Sequence, residues 1–189
     1  MGIDLSKGAR VNLEKEAPGL KNVKIGLGWN PNVTDTGGDF DLDASVFMVD
    51  ASGKTPSAKY FVFYNNNTSE DSSTVHEGDN KTGEGDGDDE VVSVDLEKVS
   101  DAVTEIIFVV TIHEAEDRKQ NFGQVPSSYI RIFDGSNEIA KYELDEDFST
   151  ETAVEFGKLY KKDGSWRFQA VGNGYNGGLQ SFVDKYYKD

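Results

Sequence analysis

The sequence predicts an all-β protein folded as a two-sheet β-sandwich, and three observations carry that prediction. Apolar residues recur with period two in nearly every candidate element. Clusters of Gly, Asn, Asp and Ser separate those elements at short intervals, as turns require. The 189 residues, 36% of them hydrophobic, suffice for one compact core. About ten short strands result, in the range of a sandwich. They are Ala9–Leu13, Val23–Trp29, Leu42–Val49, Tyr60–Tyr64, Val91–Leu96, Glu105–His113, Tyr129–Phe133, Glu138–Leu144, Thr152–Tyr160 and Trp166–Val171. The run from Ile106 to Ile112 is apolar on both faces and belongs in the middle of a sheet, whereas Arg10 to Glu16 suits an edge. Two segments depart from the alternation. Leu96–Val103 reads as a short turn of helix. Leu179–Tyr187 reads as an amphipathic closing helix with Leu179, Phe182, Val183 and Tyr186 on one stripe. A single domain over residues 1–189 is expected.

A formal charge of −16 repels phosphate backbones and argues against direct nucleic acid binding. The absence of cysteine excludes disulfides, thiolate metal sites and cysteine nucleophiles together. The N-terminal stretch has scattered charges and no apolar run of signal-peptide length, and the longest apolar segment is too short to span a bilayer. A cytoplasmic monomer is the expectation.

Chemistry concentrates in two acidic segments. Between Glu77 and Glu90 the chain reads EGDNKTGEGDGDDE, seven carboxylates threaded with glycines. Upstream, DFDLD sets Asp39, Asp41 and Asp43 at alternate positions, which on a strand puts all three on one face. Like charges about 4 Å apart repel by roughly 4 kcal/mol at an effective dielectric near 20, so such crowding favours a hard cation. Calcium takes about six to eight oxygens from carboxylates, amides and carbonyls, and glycine lets a loop bend all three inward. A solvated acidic turn is the simpler reading of the loop by itself. The EF-hand template fails, because its sixth position is Ala44 where glycine is required. A site would therefore be assembled from separate loops, with Asn65, Asn66 and Asn67 as its other wall or as an ordinary turn.

Other motifs carry less. Gly172, Gly174 and Gly177 spell GxGxxG, but the chain ends before the returning strand and acid that a dinucleotide fold needs, so a structural role at the start of the closing helix is preferred. His113 and Glu114 lack the second histidine of a zinc HExxH site, and no serine sits in a nucleophile elbow. No catalytic residue is expected, and the protein is read as not an enzyme. Trp29 and Trp166 are read as core rather than as a sugar-stacking platform.

Seven motifs together are familiar: LSKG from Leu5, LGW from Leu27, FDLDAS from Phe40, FYNN from Phe63, GDNKTGEGDGDDE from Gly78, IIFVVTIHEA from Ile106 and AVGNGY from Ala170. Collinear along nearly the whole chain, they resemble the TerD family of bacterial proteins tied to tellurite resistance and general stress. The resemblance implies a calcium-binding β-sandwich with two adjacent Ca2+ ions. Position by position it gives Asp41 and Asp43, Asn65 and Asn66, and Asp79, Asn80, Asp86, Asp88, Asp89 and Glu90 as ligands, with Asp39 added by its place two residues before Asp41. Expected partners are calcium and other proteins of a stress-response complex at the inner membrane face. The resulting expectation is a calcium-dependent interaction module or scaffold. The alternative is a calcium-stabilised carbohydrate-binding sandwich.

Overall fold

The computed structural model describes residues 2–31, 38–78 and 87–189. Among the described residues, twelve strands form two six-stranded sheets. The first sheet runs β1 (Ile3–Leu5), β10 (Asn137–Glu143), β9 (Tyr129–Asp134), β3 (Asn22–Gly28), β7 (Glu90–Asp95), β6 (Thr74–His76). The second runs β2 (Arg10–Asn12), β12 (Ser165–Tyr175), β11 (Ala153–Lys162), β8 (Glu105–Ile112), β4 (Leu42–Val49), β5 (Phe61–Val62). Every pairing is antiparallel except that of β1 with β10. Short helices follow at α1 (Leu13–Glu16), α2 (Ala115–Arg118) and α3 (Gly178–Tyr186).

The main core lies between the sheets, where alternate residues of facing strands interdigitate. Ile25 and Leu27, Val92 and Val94, Ile130 and Ile132 meet Leu42, Val46 and Met48, Phe108 and Val110, Phe156 and Phe168. Trp29 and Trp166 are both buried in it. The reverse face of the second sheet forms another apolar layer, with Phe47, Val49, Phe61, Ile107 and Val109 under Phe182 and Tyr186 of α3. Strand β8 is thus covered on both faces, which is why its run carries no polar alternation. A buried polar contact secures α3, the Tyr186 hydroxyl donating to Glu155 Oε2 at 2.7 Å while Lys185 Nζ approaches the same carboxylate. Burial, helped by the Glu155 charge, pushes the Tyr186 phenol above its ordinary range.

Strands β11 and β12 slip register between Glu155 and Gly157, leaving Phe156 opposite both Val171 and Gly172. Gly172 adopts φ +66°, and a Cβ there would overlap the Tyr142 hydroxyl, so this bulge needs glycine. Two of the three GxGxxG glycines therefore lie inside a strand, and Gly177 caps α3.

Leu96–Val103 is not helical: Lys98 N–H bonds Asp95 O and Val103 N–H bonds Ser100 O, a succession of turns that folds Leu96 and Val103 into the core. The Tyr60–Tyr64 strand shrinks to β5, preceded by a 3-10 turn at Ala58–Tyr60 and followed by a tight turn in which Phe63 and Asn66 exchange backbone hydrogen bonds. No helix among the described residues is long and apolar enough to cross a membrane.

Candidate metal centre

One end of the sandwich gathers both acidic segments. Strand β4 opens with Leu42 inward, which turns Asp41 and Asp43 to the other face, away from the main core. The stretch before it is pinned through its backbone. Gly38 O and Asp39 O accept from Gln120 Nε2, Phe40 O from Trp29 Nε1 at 3.1 Å, and Asp41 O from the His113 amide at 2.8 Å. Asp39 is exposed, and Asp41 and Asp43 are half-buried. His113 Nδ1 stands 3.7 Å from Asp43 Oδ2.

The acidic loop arrives as three consecutive carboxylates that diverge. Asp88 turns onto the outer face of the first sheet, where Arg131 grips its Oδ1 from Nε at 2.9 Å and Nη2 at 2.6 Å. That carboxylate crosses β3 at Gly26, where any Cβ would collide with it, and Gly28 likewise makes room for the Tyr129 ring. The Tyr129 hydroxyl donates to Gly87 O, and burial together with the Asp88 charge pushes its phenol up to about 12. Asp89 Oδ2 accepts the Trp29 amide at 2.9 Å. Burial and the neighbouring Asp88 charge raise the Asp89 carboxyl above its usual range despite that hydrogen bond. Trp29 thus joins both segments, its backbone to Asp89 and its indole to Phe40.

Glu90 points inward between the sheets. Its Oε2 lies 2.7 Å from His76 Nε2 and 3.4 Å from the Ala44 amide. Strand β5 pairs with β4 only at Val46 and Phe47, so the first half of β4 has no β5 partner at its edge, and Glu90 from the opposite sheet serves the Ala44 N–H. A cleft of about 290 Å³ lined by Tyr64, Asn67, His76, Glu77 and Gly78 opens between the asparagine turn and the start of the acidic loop.

Of the residues expected as ligands, Asp41, Asp43, Asp89 and Glu90 share this end of the sandwich. Asn66 spends its amide nitrogen on Lys59 O and Phe61 O, shaping the turn, and Asn65 is exposed at its tip. Asp88 faces Arg131. Asp79, Asn80 and Asp86 lie outside the described residues. Among the described residues no three of His, Asp or Glu are grouped closely enough to hold an ion. Their carboxylate oxygens are hard donors of the type calcium takes.

A family model described as the TerD domain matches residues 1–186. The chain belongs to the TerD family. It is 54% identical to tellurium resistance protein TerD of Serratia marcescens over 188 residues, 98% of this chain and 97% of that protein. It is 50% identical to general stress protein 16U of Bacillus subtilis (strain 168) with the same coverage. A crystal structure described as a homologue of telluride resistance protein (TerD) from Streptomyces coelicolor A3(2) superimposes with a TM-score of 0.69 at 22% identity, over 87% of this chain and 96% of that one. It shares the fold.

In this TerD chain, sequence reasoning passed over four contributors to the site: His76, Arg131, Tyr129 and the Gly26/Gly28 pair. The GLG of KIGLGW, two glycines on one face of a strand, was the signal available, since strand glycines mark close approach of another group.

Proposed function

We propose that this TerD protein is a calcium-dependent interaction module of the tellurium-resistance and stress-response type, working at the cytoplasmic side of the membrane. One observation carries the reading: Glu90 of the acidic loop reaches across to the Ala44 amide of the DFDLD strand, so two anionic segments remote in sequence meet at one end of the fold. Asp39, Asp41, Asp43, Asp89 and Glu90 would hold ions there with the loop residues before Gly87. Calcium would supply charge neutralisation and order to the loop, making a surface that partners recognise.

Direct tellurium chemistry is disfavoured by composition. Trapping or reducing such an oxyanion calls for soft sulfur donors. The chain has no cysteine, and of its two methionines Met48 is fully buried. The net charge of −16 also repels an anion. The resistance that gives these relatives their names is therefore read here as indirect.

Calorimetric titration of chelator-stripped protein with calcium and with magnesium, alongside the melting temperature, tests the proposal. Ion uptake with a rise in melting temperature that grows with free calcium is expected, since a ligand of the native state stabilises by mass action. Asp43→Asn should weaken the uptake. Identical melting with and without calcium, and no heat of binding, would overturn it.

A further inference from the structure

Resting on the reading of the chain as an interaction module, we infer that the groove between α3 and the β5 edge is a docking site for a basic amphipathic segment of a partner protein, seated with its apolar end beside β5. Two clefts follow one another along α3. The first, about 410 Å³, is lined by Leu179, by Glu114, Glu116 and Asp117, and by Asp43 and His113 of the candidate metal centre. The second, about 370 Å³, is lined by Phe61, Phe63, Val183 and Tyr187. Leu179, Val183 and Tyr187 are spaced i, i+4, i+8, one stripe running about 12 Å along the helix. The facing wall is an aromatic ladder in which Phe61 stacks on Phe47 and on Phe63, both at 4.4 Å, and Tyr64 meets Phe63 edge-on.

Tyr64 lines the first cleft and meets Phe63 of the second edge-on. At 57% exposure it is the most exposed large apolar side chain among the described residues, and aromatic side chains of this kind anchor interfaces. Charge selects the occupant and its direction. The first cleft is net negative, with Glu114, Glu116 and Asp117 all exposed and Arg118 answering Glu114 at 3.6 Å. The charged lining residue of the second is Lys59. Basic side chains are drawn to the acidic end and turned away from the Lys59 end, where apolar side chains fill the aromatic wall. The chain's overall charge of −16 steers the same class of partner and opposes a second copy of this chain.

The test is fluorescence anisotropy with a labelled synthetic peptide carrying Phe and Leu at one end and three arginines at the other. A control peptide replaces the arginines by glutamates. Saturable binding of the first and none of the second is expected. Tyr64→Ala, and the pair Glu116→Lys with Asp117→Lys, alter exposed side chains, so each variant folds. Each should weaken binding roughly tenfold, the loss of one anchoring contact. Nuclear magnetic resonance shifts on peptide addition should centre on Leu179, Val183 and Tyr187. Equal binding of both peptides, full affinity in both variants, shifts confined elsewhere, or a dimer in sedimentation that covers Tyr64 would overturn the assignment. Run in calcium and in chelator, the assay separates the two readings. Peptide binding that ignores calcium keeps the groove and removes calcium control, whereas calcium uptake without peptide binding removes the groove.

Discussion

Glu90 Oε2 and His76 Nε2 lie 2.7 Å apart with side chains only 2% and 4% exposed, one from each of two adjacent strands at the sandwich end. Glu90 also serves the Ala44 amide, so its removal takes a hydrogen-bond partner from two buried groups at once. In excess chelator, Glu90→Ala should lower the unfolding free energy by about 3 kcal/mol, the upper range for taking the partner from a buried polar group. Urea denaturation measures it. His76→Leu combined with Glu90→Leu should lose less than Glu90→Ala alone, because the buried imidazole is removed with its partner.

Gly26 is expected to resist even alanine. A methyl there would push the Asp88 carboxylate off β3 and break its two-pronged grip by Arg131. Gly26→Ala should cost about 1–3 kcal/mol through overpacking. Adding Asp88→Ala should recover part of that loss in thermal melts, since the obstructed side chain is gone.

Acid sensitivity should trace to Asp71. Burial raises its carboxyl, but hydrogen bonds from Ser69 Oγ, the Ser100 amide and Ser73 outweigh it and hold it below the ordinary aspartate range. A depressed folded-state pKa contributes stability that is complete above the unfolded value and is lost as pH falls through the folded one. Wild-type stability should therefore decline below about pH 4 more steeply than that of Asp71→Asn, which is less stable at neutral pH. Chemical denaturation across pH 2 to 7 would show the two curves converging at the acid end.

The attachment of α3 should respond to Tyr186→Phe. Loss of the 2.7 Å hydrogen bond to Glu155 leaves that buried carboxylate with Lys185 and costs about 1.5–3 kcal/mol, as for bonds to charged groups. Hydrogen exchange should show faster exchange in α3 than in β8. The Tyr186 phenol has a raised pKa, so its contribution is complete below the ordinary tyrosine value near 10 and is lost as pH climbs beyond it. Wild-type α3 should loosen in that alkaline range and the phenylalanine variant should not.

Sheet architecture was legible because burial on one face imposes period two, and the doubly apolar run at Ile106 marked a strand covered on both sides. The helix expected at Leu96–Val103 misled for a physical reason. Leu96, Val99 and Val103 mimic a helical stripe, yet their burial is produced by turns in which Lys21 O and Ser100 O take the amides of Leu96 and Val103. Strand β6 was missed because three residues, preceded by serines and followed by Glu77 and Gly78, show no period. At the site, acids and glycines were visible as composition. His76 and Arg131 were not, since sheet pairing brings them to Glu90 and Asp88 from 14 and 43 residues away.

The doubled residue at Val171 and Gly172 makes chain length itself a constraint on β12. Beyond that point every side chain owes its facing to one surplus residue, so excising Gly172 would rotate Asn173, Gly174 and Tyr175 through half a turn. Tyr175 would leave Lys185 and Phe182 for the opposite surface, and the C-terminal segment would lose its seat without any change in the composition of either. Family members free to vary their turns should be intolerant of insertion or deletion here.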